Sequence, residues 1–416
     1  MQYLFALTLL FAPLYAVRFT LWGVPTNVLM LWVFCVLLGG VGWVVVTKRV
    51  RHCLQWLGTE LRTIQSGLVL LFLLSGVASL FVGGVSEDKL GQLLVLFLQP
   101  IGMYFLVRYY AHATNLQLEV GSLLSKASLL FVGVSGVYAI IQYTTLLGVP
   151  EAWWGNAVEP KRALAFFLHP NFYALFVIPL LAYLLPQILK FQIPNNKSQA
   201  NSKTQILNIR LSLPSTLYPL LSWLLGVVGL FLSLSRGGWL GLAAAVVVFV
   251  LVAGNRKVLV AAGAAFLIMI AVVFTVPNFR YRVLLPFQGE KSSVARFSLW
   301  NTGWEMVKDS PVLGKGLLGF STNWDAYNTD PNLQRYPAPH NIFLNFWVDT
   351  GLLGLVSFVG MLGLLIWRGL QKGVDTVGFK RGLALTFVAL LVHGLVDIPY
   401  LKNDLAIVFW LLVSII

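Results

Sequence analysis

Charge is scarce in this 416-residue sequence: 11% of the residues are Asp, Glu, Lys or Arg, against 58% that are hydrophobic. Soluble domains carry about 25% charged residues, so an ordinary soluble fold is excluded. Acidic residues are scarcest, 15 against 29 basic ones, and they are scattered, with no DxD-like pair at metal-ligand spacing. The two cysteines, Cys35 and Cys53, have no near partner, which removes a disulfide framework and a CxxC redox or metal site. GxSxG, HExxH and a Walker loop are also missing. Metal-dependent transfer from a nucleotide sugar is therefore unsupported, and no metal or cofactor is expected. A net charge of +14 in a soluble protein would suggest nucleic acid as a partner. Here the basic residues cluster in short loops between apolar runs, so topology explains most of them and no nucleic-acid partner is expected.

What the chain has is apolar runs of membrane-spanning length. They fall near 3–17, 27–46, 66–83, 91–107, 122–148, 172–189, 215–233, 239–253, 258–276, 341–367, 382–397 and 404–416. The first lacks a basic leader and a clear cleavage site, and reads as a retained span. The pattern predicts an all-α integral membrane protein of about 12 transmembrane helices, with residues 1–416 forming one polytopic domain. Placing the N-terminus in the cytoplasm puts Lys48, Arg49, Arg51, Arg62 and Arg108 inside. Lys190, Lys197, Lys203, Arg210, Arg256, Lys257, Arg368, Lys372, Lys380 and Arg381 follow on the same side, as the positive-inside rule requires. Both termini are then cytoplasmic.

In this orientation residues 149–171, residues 277–340 and the small SRGG turn face outward. The inner segment NNKSQANSKTQ reads as a disordered linker. The sizeable outer loop, 277–340, is expected to contain short helices. One is capped by Ser292 or Ser293, ends before Pro311 and carries Phe297, Trp300, Trp304 and Val307 on one stripe, suited to lying on the membrane surface.

Several outer cationic and histidine residues are not explained by topology: Arg162, Arg236, Arg280, Arg282, Arg296, Lys315, His169 and His340. Ionisable groups at membrane depth usually mark function, and arginines gathered at one face suit a lipid-bound diphosphate, whose oxygens a guanidinium holds bidentately. Each has a plainer reading. Arg236, in LSLSRGGWLG, sits among glycines that permit close approach and hydroxyls of Ser233 and Ser235, or it snorkels to the headgroups. Arg280 and Arg282, two apart in PNFRYR, fit snorkelling better, and Arg296 equally suits a solvated helix face. Lys315 lies in GKGLLG, a glycine-rich turn without the strand and helix that a nucleotide fingerprint needs. His169, in FFLHPNF, reads most simply as a helix-entry hydrogen bonder. His340 follows Pro337 and Pro339 and opens an apolar helix. His393 and Asp397, at i, i+4, read as a buried hydrogen-bonded pair.

Four segments together resemble the O-antigen ligase family, which includes the O-antigen polymerases: LSLSRGGWLGL, RFSLWNTGWEMVKDSPVLGKGLLGF, PHNIFLNFWVDTGLLGLVSF and HGLVDIPYLKNDLAIVFW. FFLHPNFYAL is similar to the family's entry to an upstream span. The resemblance covers roughly residues 160–416. It implies a polytopic glycosyltransferase of the bacterial inner membrane, acting on its outer face without metal or other cofactor. Such enzymes take a glycan from an undecaprenyl-diphosphate carrier and join it to a lipid-anchored or carrier-linked acceptor sugar. By motif, diphosphate binding and assistance to attack fall on Arg236, Arg296 and His340, with Asn341 beside the histidine and Arg162, His169, Arg280 and Arg282 as further substrate contacts. Where the family more often has glutamate, this chain has Asp349. Ligase and polymerase differ only in acceptor and stay open. A lipid-glycan flippase is less favoured, because the unexplained charges gather at one face of the second half rather than at mid-bilayer depth in both.

Overall fold

The computed structural model describes residues 1–21, 24–156, 159–192, 205–254, 256–285, 290–331, 333–371 and 378–415. The polar linker NNKSQANSKTQ lies almost wholly outside the described residues. The first third of the chain forms α1 (Gln2–Phe11), α2 (Val28–Val46), α3 (Val50–Glu60), α4 (Ile64–Phe81), α5 (Glu87–Leu93) and α6 (Gln99–Thr114). Next come α7 (Gln117–Thr145), α8 (Pro170–Gln192), α9 (Gln205–Leu232), α10 (Arg236–Ala253) and α11 (Arg256–Thr275). The stretch 277–340 holds α12 (Pro277–Leu284), α13 (Lys291–Asp309), α14 (Gly319–Thr322) and α15 (Trp324–Tyr327), and α16 (Ile342–Leu370), α17 (Phe379–Gly394) and α18 (Asn403–Val413) close the chain.

A helix lies at every apolar window. Among the described residues, seven helices are long and apolar enough to cross a membrane, and Gln2–Ala16, Leu217–Leu232 and Asn403–Val413 are shorter apolar helices. This is the architecture of a multi-pass helical membrane protein. Two elements were not anticipated. Arg18–Leu21 (β1) and Val24–Asn27 (β2) pair antiparallel, with Arg18 opposite Asn27; Phe19, Thr20, Val24 and Thr26 are residues that favour strands. The basic segment after α2 is itself the helix α3.

The chain divides into two compact units. One comprises residues 1–123, 281–365 and 391–416, the other residues 124–280 and 366–390. In the first, Phe72, Phe97, Phe346, Phe358, Tyr400 and Trp410 form an aromatic core of edge-to-face, tilted and stacked pairs. Pro100 has no N–H to give the carbonyl four residues back. That carbonyl, Leu96 O, instead accepts from Tyr400 Oη at 2.5 Å, which accepts from Trp410 Nε1 at 2.8 Å. Apolar surroundings demand such a replacement.

In the second unit, α7 and α9 approach through glycines. A Cβ on Gly136 would stand 2.3 Å from the Leu225 carbonyl oxygen, and one on Gly229 would stand 3.1 Å from the Gly136 Cα. Small residues at such spacing let backbones touch where no hydrophobic effect drives association.

The GKGLLG segment is a turn, as its context required. Gly314 (φ 68°) and Gly316 (φ 84°) are left-handed. Lys315 N donates to Val348 O at 2.6 Å, and Leu317 N donates to Ser79 O at 3.2 Å. Opposite it α16 is broken at Gly351, with φ 66° and ψ −171°, and Leu352 N donates out of the helix to Val312 O at 3.0 Å. The loop before α16 is thus pinned into a discontinuity of that long helix. A Cβ on Gly351 would lie 2.3 Å from Val312 O. Gly351→Ala is therefore expected to destabilise the protein by about 1–3 kcal/mol from backbone strain alone. A thermal midpoint in detergent indistinguishable from wild type would contradict this.

Candidate functional site

Six of the sequence-predicted residues fall into two clusters, one in each unit: Arg296, His340 and Asn341 in one, Arg162, His169 and Arg236 in the other. In the unit containing α16, the cluster is built on the chain segment after α17. This helix stops at Gly394, so Asp397 lies beyond it. The expected His393–Asp397 pair does not form for that reason: His393 Nε2 is buried with no hydrogen-bond partner. Asp397 instead meets His340, with Nδ1 and Oδ1 at 3.2 Å, and also accepts from Ile398 N at 3.0 Å. An ionised carboxylate can only accept, so Nδ1 carries a proton, and in the neutral imidazole Nε2 is then left as an acceptor.

The same segment holds two other predicted residues. Arg296 Nε donates to Val396 O at 3.0 Å, and Asn341 Nδ2 donates to Leu395 O at 3.1 Å. Asn341 Oδ1 accepts from Phe343 N and Leu344 N at 3.1 and 3.0 Å, capping α16 and fixing the residue after His340. His340 itself has φ 50°, a left-handed backbone that a non-glycine residue keeps only where its surroundings hold it. Asp397 is 4% exposed. Burial pushes its carboxyl up, but the His340 hydrogen bond and the charges of His340, His393 and Arg296 outweigh that and hold it down to about 2.

Beside Asn341 an open cavity of about 820 Å3 runs along α13 and α16, lined by Trp300, Trp304, Trp347, Leu355, Val356 and Val359. Its wall is almost wholly apolar. α13 differs from expectation in two ways. It starts at Lys291 with Glu290 as N-cap and no side-chain cap bond, while Ser293 Oγ donates to Glu290 Oε2 at 2.9 Å. Its apolar residues also divide: Leu299, Met306 and Val307 enter a core with Phe320, Trp324 and Val348, while Phe297 and Trp304 stay exposed.

Asp349 is buried, accepting from Phe320 N at 3.1 Å and Asn345 Nδ2 at 2.8 Å. It ties the loop to α16, so its shorter side chain serves an internal contact. Lys315 is likewise used internally, between Asp309 and the Tyr327 hydroxyl, which it meets at 2.7 Å. The hydrogen bonds from Lys315 and Tyr327 lower the Asp309 carboxyl. Burial works against the Lys315 ammonium, but its bonds to Asp309 and Tyr327 raise it overall. Arg282 pairs with Glu290 at 3.2 Å, and Arg280 is exposed. Neither joins a cluster.

The second cluster surrounds the turn before α10. Arg162 Nε donates to Ser233 O at 2.8 Å, and its Nη2 donates to Asn171 Oδ1 at 2.7 Å. Its guanidinium lies 5.3 Å from the Trp153 ring, which packs edge-on against His169 with centroids 4.5 Å apart. His169 Nδ1 accepts from Asn171 N at 3.0 Å, the helix-entry role anticipated for it. Ser233 Oγ donates to Leu230 O at 2.6 Å and accepts from Ser235 N at 3.3 Å. The hydroxyl that had looked ready for a ligand builds the turn instead. Leu234 is left-handed, φ 54°, and Arg236 follows as the half-buried first residue of α10. No side chain caps that helix, so its first N–H groups and the positive end of its macrodipole lie at the turn from which Arg236 starts α10. This is an arrangement suited to an anion.

Residues 220–359 match the O-antigen ligase family. The match takes in Arg236, Arg296, His340 and Asn341, while Arg162, His169 and Asp397 lie outside it. An uncharacterized protein of Haemophilus influenzae is 25% identical over 164 residues, 35% of this chain and 41% of that protein. The match therefore spans about two fifths of the relative's length. Sequence reasoning missed Asp397 as the partner of His340. The signal was HGLVDIP: a proline two residues after the aspartate, which argues against the continuous helix that i, i+4 pairing assumed.

Proposed function

We propose that this protein is a membrane glycosyltransferase of the O-antigen ligase family. It takes a glycan from an undecaprenyl-diphosphate carrier and joins it to an acceptor hydroxyl, of the lipid-anchored core-sugar type, on the outer face of the bacterial inner membrane. The observation that carries the reading is the Asp397–His340 pair, which fixes an imidazole with Nε2 as its acceptor nitrogen. That is the equipment for relieving a hydroxyl of its proton as it attacks. The uncapped α10 start with Arg236 supplies what a departing diphosphate needs, preorganised positive charge. The apolar cavity beside Asn341 suits a substrate carried on a polyprenyl chain. A single displacement would invert the anomeric centre.

The test is purified protein with an undecaprenyl-diphosphate glycan, offered a lipid-anchored core sugar or a second carrier-linked glycan in separate reactions. Mass analysis is expected to find the glycan on the core sugar and free undecaprenyl diphosphate. Transfer only to the second carrier would make the protein a polymerase, and no transfer in either reaction would defeat the proposal.

Sidedness follows from the same reading. In a background lacking Cys35 and Cys53, Asp325→Cys is expected to react with a membrane-impermeant thiol reagent in cells whose outer barrier is opened. Gln55→Cys is expected to react only after lysis. The reverse pattern would invert the topology and remove the outer-face assignment.

A further inference from the structure

Helix α3 takes no part in either cluster, and its surface is unusual in charge. Trp56 and Glu60 face inward. Glu60 is the helix's only acid, and its Oε1 pairs with Arg108 at 2.9 Å. Arg49, just before the helix, is also turned inward: it donates to Ala113 O at 2.7 Å and lies over Trp43. What remains exposed is of one sign, with Lys48, Arg51 and Arg62 all at the surface.

These charges are ordered along the helix. Val50, Leu54 and Leu61, which are 47%, 64% and 37% exposed, recur at helical spacing and form an apolar stripe. Arg51, Gln55, Gly58 and Arg62 form the adjoining stripe, and around Gly58 there is open space. An exposed apolar edge beside an edge whose charges are all cationic is the pattern of a helix lying in a bilayer interface, its apolar side among acyl chains and its cations at the headgroups.

We propose that this face of α3 is a binding site for anionic phospholipid headgroups, with Lys48, Arg51 and Arg62 supplying the charge and Val50, Leu54 and Leu61 the insertion. The charge complementarity selects the occupant, since no exposed acid on the helix competes for the cations. The inference stands independently of the proposed transferase activity.

The experiment uses the full-length protein, delipidated in detergent and offered phosphatidylglycerol and phosphatidylcholine in equal amounts, with retained lipids counted by native mass spectrometry. Wild type is expected to retain phosphatidylglycerol preferentially. About 1 kcal/mol per cation corresponds to about fivefold per charge, so Lys48→Gln/Arg51→Gln/Arg62→Gln is expected to lose the preference. A control with the same charge loss at other exposed positions, Lys126→Gln/Arg256→Gln/Lys380→Gln, is expected to keep it. No preference in wild type would overturn the proposal, as would its survival in the α3 variant or equal loss in the control. Should the α3 variant fail to fold, wild type decides alone. At about 1 M salt, where the screening length is about 3 Å, the preference is expected to vanish, and its persistence would overturn the site.

Discussion

Arg236→Lys is expected to lower turnover by about a hundredfold or more while the protein accumulates at its normal level. The magnitude is that of deleting one preorganised donor to a developing anion. Lysine keeps the positive charge but replaces a planar fork of five N–H donors with a single flexible ammonium, and bidentate recognition of phosphate is lost. A headgroup anchor asks for less: a charge on a long apolar stem, which lysine provides equally well. The geometry favours the demanding role. Arg236 is half-buried at the first position of α10, after a left-handed Leu234 and beside backbone N–H groups that no side chain caps. A left-handed leucine is costly, and a turn needed only to end one span and begin another would have little cause to retain it. Gly238 adds a constraint, since a Cβ there would stand 2.9 Å from Ile178 Cδ1 and 3.2 Å from Ala174 Cβ. The start of α10 is thereby seated against α8. A lysine variant turning over as fast as wild type, at equal abundance, would return Arg236 to the role of anchor.

Hydropathy made the helices legible, because a span must be apolar over a fixed length whatever it packs against. The β1–β2 ribbon and α3 were not legible, for different reasons. The ribbon is too short for periodicity to distinguish it from a loop. The cations of α3 satisfied the positive-inside rule and so raised no question about local structure. Residue type and motif singled out His340, Arg296 and Arg236 as candidates, but not what holds them. Backbone carbonyls do much of that holding: Leu395 O for Asn341, Val396 O for Arg296 and Ser233 O for Arg162. Every residue type carries such a carbonyl, so the side-chain sequence gives no sign of the contact. Asp397 was visible as a residue but assigned to the wrong histidine, because spacing along a helix was extended past the point where the helix stops.

That reassignment gives Asp397→Asn the second large expected effect. The native carboxylate accepts from His340 Nδ1 and leaves Nε2 to take a proton. Asparagine fits the same space, but its amide can donate to Nδ1, moving the imidazole proton to Nε2, where it blocks the acceptor. Turnover is expected to fall by about a hundredfold or more, the scale on which general-base assistance contributes. The loss should nearly equal that of His340→Ala, with little further loss in the double variant, because the two residues act as one unit. Dependence on pH separates this from a binding role. Asp397 is held down to about 2, so it stays ionised through the working range, and an acidic limb in the wild-type pH–rate profile cannot be its titration. His340→Gln retains a hydrogen-bonding amide but no proton acceptor of comparable basicity. If the imidazole only orients a sugar or phosphate oxygen, this variant keeps most of the rate. If it accepts the hydroxyl proton, the rate falls and the acidic limb disappears with it. The measurement is turnover against pH at saturating donor for wild type, Asp397→Asn, His340→Ala and His340→Gln. A glutamine variant within a few-fold of wild type, with its acidic limb intact, would reduce His340 to a binding residue and Asp397 to a structural partner.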